Sequence, residues 1–104
     1  MTAGSSTVVL SPEAAGDLIA IWHVGAEEWS PEQADRHLRE IAEMFERLSD
    51  NPNLGRARDD LLPNLRSLVV RPHLIFYRRS TTTIDIVRVL HERLDTIMYF
   101  RHAA

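Results

Sequence analysis

The 104-residue chain contains no cysteine and no lysine. Without cysteine, no disulfide braces the fold and no thiolate is present for nucleophilic or metal chemistry. Without lysine, there is no amine to act as a general base, a Schiff-base nucleophile or a compact phosphate clamp. All twelve basic side chains are arginine, so any recognition of carboxylate or phosphate falls to guanidinium forks. Glycine is sparse, at four residues, and Gly55 stands alone among turn residues, which excludes a glycine-rich phosphate cradle. No Gly-x-Ser-x-Gly elbow is present, so the serines offer no acyl-transfer nucleophile of that kind. No apolar run approaches the roughly 20 residues of a membrane-spanning helix, and Met1 to Ser6 carry neither a basic nor an apolar leader region. These absences lead to the expectation of one cytoplasmic domain over residues 1–104, with no membrane partner, a disordered stretch at 1–6 and a C-terminal tail at 96–104.

Hydrophobic residues make up 44% of the chain, enough for one modest core and too many for a disordered segment. The net charge of −3 conceals a split. Residues 1–55 hold three Arg against ten Asp or Glu, net −7, whereas residues 56–104 hold nine Arg against five acids, net +4. A basic second half suits an acidic partner, either a nucleic acid or a protein with a negative segment. Solvated arginines that keep sheet edges from pairing would give the same pattern.

Thr7 to Leu10 is short, β-branched and apolar, and reads as a strand. Ser11-Pro12-Glu13 marks a helix start: a serine cap, a proline at the first helical position and an acid in the first turn. Ala15, Leu18, Ile19, Trp22, Ala26 and Trp29 then fall on one helical face, which places both tryptophans in the core. Gly16 and Gly25 weaken this helix by up to ~1 kcal/mol each, or allow close packing. Ser30-Pro31-Glu32-Gln33 has capping-box spacing and starts a second helix. Its seam, Ala34, Leu38, Ile41, Phe45 and Leu48, has the steps of a helix lying along another, so the pair forms an αα-hairpin. Asn51 to Gly55 ends it. Residues 56–63 form a charged connector with room for one helical turn. The strands follow. Leu74 and Phe76 face one way and Ile75 and Tyr77 the other. Ile84, Ile86, Arg88 and Leu90 alternate with Asp85, Val87, Val89 and His91, as in a strand apolar on both sides. The fold expected is α+β, a strand, an αα-hairpin and an antiparallel β-meander, in a single domain.

Few residues offer chemistry. The five histidines (23, 37, 73, 91, 102) include no His-x-x-x-His pair, and Asp35 and His37 do not share a helical face, so neither a metal nor any other cofactor is expected. The remaining enzyme class is RNA cleavage by a 2′-hydroxyl, which needs a base, an acid and cations on the phosphoryl oxygens. For that chemistry the candidates are His91 with Arg66 and Arg78, with Glu92 and Tyr99 as further proton carriers. For a binding protein, the arginines of the strand half are the candidate partner contacts: Arg56, Arg58, Arg71, Arg78, Arg88 and Arg93.

The order and spacing of several segments resemble the ParE branch of the RelE/ParE toxin superfamily of bacterial type II toxin–antitoxin pairs, over about Val8 to Asp95. The segments are Leu10 to Ala14 leading into Ile21-Trp22, Trp29 to Arg36, Phe45 to Leu48, Asn51 to Asp59, Leu65 to Ser67, Leu74 to Arg78 and Val87 to Asp95. The resemblance implies a β-α-α-β-β-β toxin and a cognate ParD-like antitoxin that wraps it through an amphipathic helix and an extended stretch, in a hetero-oligomer. It also implies DNA gyrase as the target, with no catalytic residue. The RelE branch instead cuts messenger RNA on the ribosome with a basic set that commonly includes lysine, and this chain has none. His91 keeps that alternative, a ribosome-dependent endoribonuclease, in view. The Ile97 to Phe100 tail departs from the ParE pattern.

Overall fold

In the computed structural model, which describes residues 6–101, a strand and two helices precede four further strands and a short helix. Strand β1 (Thr7–Leu10) passes through Ser11 into helix α1 (Pro12–Glu28). The Ser11 hydroxyl accepts the Ala14 N–H at 2.9 Å and donates to the Val87 carbonyl at 2.8 Å, so one cap also ties the helix to the sheet. Helix α2 (Pro31–Asp50) starts at Ser30, whose hydroxyl accepts the Gln33 N–H at 3.1 Å. The hairpin closes tightly where Gly25 meets Ala34: a Cβ on Gly25 would lie 3.4 Å from the Ala34 Cβ. Gly16 faces open space and has no such role.

The remaining strands are β2 (Arg56–Ala57), β3 (Leu65–Val70), β4 (His73–Arg79) and β5 (Thr83–His91). The α+β architecture expected from the sequence forms, with two additions. The sheet order is β1-β5-β4-β3-β2: the last four strands are the antiparallel meander, and β1 joins β5 in parallel from Thr7↔Thr83 to Leu10↔Ile86, making the sheet mixed. The charged connector holds no helix. Its Arg56 and Ala57 pair with Ser67 and Arg66 as an edge strand instead.

The sheet has apolar residues packed on both faces. On one side α1 and α2 cover Val70, Ile75, Tyr77, Ile84, Ile86 and Val89, with Ile41 and Leu48 of α2 buried against them. On the other side Leu65, Phe76 and Leu90 pack with Phe100. Phe100 belongs to α3 (Thr96–Arg101) and lies 4.9 Å from the Phe76 ring, so the tail docks as a helix. Burying that one side chain contributes roughly 1.5–3 kcal/mol. The strict alternation read along β5 is broken by a bulge. Tyr77 pairs with Ile86 but Phe76 with Arg88, which leaves Val87 as the extra residue. Past it, Val89 joins Ile84 and Ile86 on the helix side and Leu90 faces the other core.

The tryptophans are not core residues. Trp22 is only part-buried and donates its indole N–H to Asp35 at 2.7 Å, and Trp29 is 54% exposed. Helix α1 is apolar on most of its surface, so its periodicity does not single out the buried side. Of the stretch expected to be disordered, residues 1–5 lie outside the described residues, while the Ser6 N–H is bonded to the Ser49 carbonyl at 3.0 Å.

One ion pair joins the layers. Asp17 of α1 receives Arg88 Nε at 2.8 Å and Nη2 at 2.7 Å, and also the Val89 N–H at 2.9 Å. The Arg88 guanidinium in turn lies 5.0 Å from the Tyr99 ring centroid, so α1, β5 and α3 meet at one side chain. Replacing Asp17→Ala leaves a part-buried guanidinium and a strand N–H unpaired, and should lower the unfolding free energy by about 2–3 kcal/mol in urea denaturation. Gly55→Ala should cost at least about 2 kcal/mol, because its Cβ would sit 2.6 Å from the Ser67 carbonyl oxygen and 2.7 Å from the Tyr77 hydroxyl. A midpoint unchanged from the parent chain would contradict either account.

Candidate partner-binding groove

β1 ends at Leu10, opposite Ile86, while β5 runs on to His91. Among the described residues this edge of β5 has no neighbouring strand beyond Ile86, and Asp17 satisfies one of its N–H groups. An open groove of about 320 Å³ runs between that edge and α1. Ala20, Ile21, Val24 and Trp29 form the helix wall, Val89 and Leu90 the strand side, and Pro72, His73, His91 and Leu94 the far wall. Asp17, Arg88 and Tyr99 close one end, and Glu28 adds a single acid. Val24, Trp29 and Leu94 are exposed apolar side chains along it. A contiguous apolar surface beside an unpaired strand edge is what a partner's helix or extended segment buries. Arg88 and Tyr99 also line a second hollow, with Val9, Leu10 and Phe100, so this pair stands between two concave surfaces.

Three histidines that are distant in sequence meet at the far wall, His73 and His91 in its lining and His37 packed against His73. His37 Nε2 lies 2.8 Å from His73 Nδ1, both rings are buried, and the His91 ring meets His73 edge-on at 5.5 Å between centroids. His37 Nδ1 sits 3.7 Å from the Glu40 carboxylate. In the His37–His73 contact one nitrogen donates and the other accepts, so the two facing nitrogens hold one proton between them. Burial pushes His73 down to about 4, with the neighbouring His37 and His91 adding to the effect. His91 Nδ1 accepts the Arg93 N–H at 3.1 Å. This cluster was not legible in the sequence, since only the β4–β5 register (His73↔His91) and the docking of α2 bring it together. Among the described residues, no group of three or more His, Asp or Glu is arranged to hold a metal ion.

The residues singled out from the sequence divide between the two ends of the sheet. Near the groove lie His91, Arg88, Arg93 and Arg71; Arg71 is paired with Glu92 at 2.9 Å, with its side chain 77% exposed. At the opposite end lie Arg56, Arg58, Arg66 and Arg78. Arg58 is paired with Asp60 and lies 5.9 Å from the Phe76 ring centroid. Arg78 donates Nε and Nη2 to the Pro63 carbonyl at 3.2 and 2.9 Å. The β4 register sets the nuclease candidates apart. His91 is opposite His73 and Arg78 is five residues further along β4, roughly 17 Å at strand rise. Arg66 lies at the Arg78 end, opposite Tyr77. Tyr77 is fully buried, donating to the Pro52 carbonyl and accepting the Gly55 N–H.

Residues 8–95 match the family model described as ParE toxin of type II toxin-antitoxin system, parDE. The chain is 42% identical over 92 residues to Toxin ParE1 of Mycobacterium tuberculosis, covering 88% of this chain and 94% of that protein. It is 31% identical to Toxin ParE1 of Caulobacter vibrioides, over 83% of this chain and 88% of the relative. Among solved structures, it resembles a chain of the chromosomal ParDE TA system from P. aeruginosa, with a TM-score of 0.74 and 25% identity, covering 86% of this chain and 98% of that one. It also resembles a chain of the toxin–antitoxin complex RelBE2 from Mycobacterium tuberculosis, with a TM-score of 0.59 and 26% identity, covering 84% and 98%.

The histidine stack has a consequence for pH. The imidazole of His73 titrates near 6.5 in an unfolded chain and near 4 when folded, so between those values the unfolded state binds more protons. Its contribution to stability is therefore complete above pH 6.5 and is lost as the pH falls toward 4, by about 1–3 kcal/mol. Urea denaturation at pH 7.0, 5.5 and 4.5 should show this decline, and His73→Leu should flatten it.

Proposed function

The chain belongs to the ParE toxin family of type II toxin–antitoxin systems, and on that premise we propose that it inhibits DNA gyrase and is neutralised by a cognate ParD-like antitoxin. Toxin and antitoxin form a hetero-oligomer in the cytoplasm, where gyrase works. The observation that carries the antitoxin reading is the groove between α1 and the free edge of β5. Its apolar helix wall accepts the buried face of an amphipathic helix, and the strand edge accepts an extended segment. The net positive charge of the strand half favours an acidic partner chain. No helix among the described residues is long and apolar enough to cross a membrane, in keeping with that location.

The resemblance to the ParE branch supports gyrase as target, and the placement of the polar residues favours a toxin that binds over one that cuts. Cleavage of RNA needs a base and a cation around one phosphate, within about 3 Å of the groups they serve. His91 stands roughly 17 Å along the sheet from Arg78, with Arg66 at the Arg78 end. The alternative, a ribosome-dependent messenger endoribonuclease, draws on His91 and on the likeness to the RelBE2 complex.

Induced expression in a bacterium without the antitoxin separates the two. The gyrase reading expects filamentous cells, a DNA-damage response and intact messenger RNA, with a purified supercoiling assay inhibited by the protein. His91→Ala should keep that toxicity. Early messenger cleavage that disappears in His91→Ala would replace this reading with the nuclease. In the antitoxin groove, Trp29→Ala should weaken antitoxin binding about 30-fold or more while leaving the fold intact. Calorimetric titration of the purified pair measures it, and an unchanged affinity would place the antitoxin elsewhere.

A further inference from the structure

Helix α1 has no charged residue from Leu18 to Ala26, although Ile19, Ala20, His23 and Val24 are exposed. A surface helix of a small domain ordinarily carries polar residues on its solvent side. The groove described above takes the flank with Ala20, Ile21 and Val24. Another hollow, of about 310 Å³, opens where α1 meets α2 and is lined by Leu18, Ile19, Trp22, His23 and Leu38. The two linings share no residue, and at about 3.6 residues per turn they fall on opposite flanks of α1. Leu18 and Leu38 pack against the core, while Ile19 is 62% exposed. The Trp22 ring meets His23 edge-on at 5.3 Å, and Asp35 holds its indole N–H at 2.7 Å, so the tryptophan is fixed in place before any partner arrives. The hairpin that carries this flank is acidic. Every charged residue of the first half of the chain lies in α1 or α2, three Arg against ten Asp or Glu, net −7.

We propose that the Ile19–Trp22 flank of the helix hairpin is the surface that docks on gyrase, against the cationic region with which that enzyme holds DNA. The inference rests on the gyrase reading for its occupant. An enzyme that grips a duplex presents arginine and lysine to the phosphates. An apolar patch set in a hairpin of net −7 complements such a surface in both charge and hydrophobicity. The same charge disfavours the other occupants. A second copy would bring two acidic hairpins together, and an acidic antitoxin segment is drawn to the strand half instead. The two flanks stand one helix diameter apart, about 10 Å. A protein seated in the groove therefore excludes a large partner from the other flank without filling it, which is how the antitoxin would neutralise the toxin.

The test uses the full-length chain, purified DNA gyrase and a plasmid supercoiling assay, with the urea midpoint and the calorimetric antitoxin affinity measured alongside. Ile19→Arg should weaken inhibition about tenfold or more while both other measurements stay at the parent values. Asp35→Asn keeps an acceptor for the Trp22 indole and removes only a charge. It should weaken inhibition about threefold at low salt, with the difference shrinking as salt rises. Undiminished inhibition by folded Ile19→Arg, or an Asp35→Asn variant as potent as the parent at low salt, would overturn the proposal. An equal loss of antitoxin affinity in Ile19→Arg would overturn it by giving this flank to the antitoxin. A parent dimer in sedimentation that Ile19→Arg splits would overturn it by giving the flank to a second copy. A parent chain that leaves gyrase uninhibited sinks the gyrase reading and this occupant together, whereas inhibition that survives Ile19→Arg sinks this assignment alone.

Discussion

β5 is longer than the strand beside it, and the structure is organised around that mismatch. β1 has four residues and β5 has nine, so among the described residues one edge of β5 has no neighbouring strand past Ile86. An unpaired edge in a small domain either recruits another chain or must be covered. Asp17 does part of the covering: its carboxylate takes the Val89 N–H and both donors of the Arg88 fork. Because Asp17 sits on α1, the same contact sets how the helix hairpin lies on the sheet. The opening left between them is the groove. Hydrogen bonds to Asp17 hold Arg88 protonated even more firmly than usual.

The β5 bulge has a related effect on the second face. It hands Val89 to the helix-side core and Leu90 to the core beneath α3. A strand that alternated without interruption would keep one face throughout. The extra residue lets β5 change face while staying paired with β4, which allows Phe76 and Phe100 to build a second small core. The C-terminal helix therefore docks on the sheet, and its Tyr99 reaches Arg88 between the two concave surfaces.

The helix starts were readable because capping is local. Ser11 and Ser30 each accept a bond from an N–H three residues on, and the residues that decide this are neighbours in the chain. The α2 seam was readable because polar residues fill its other side, leaving Ala34, Ile41 and Leu48 no alternative to burial. Helix α1 misled for the opposite reason. With apolar residues on nearly every side, Trp22 and Trp29 look like core, yet Ala14 and Gly25 are its buried positions. The arginines were read as partner contacts from their number, while their engagement with Asp17, Asp60, Glu92 and Pro63 depends on loops and register that no local pattern encodes.

The chain alone determined its class: two capped helices, an apolar meander and a division of charge are short-range properties, set by neighbouring side chains and by periodicity. Tertiary structure decided everything that depends on which segments meet. It stacked His37, His73 and His91, which are up to 54 positions apart, against one another. It placed His91 away from Arg66 and Arg78, and it left Arg66 Nε unsatisfied. The physical reason is that strand register and helix docking are settled by burial and by backbone pairing across the whole domain. A side chain's partners are fixed only once those long-range contacts have formed.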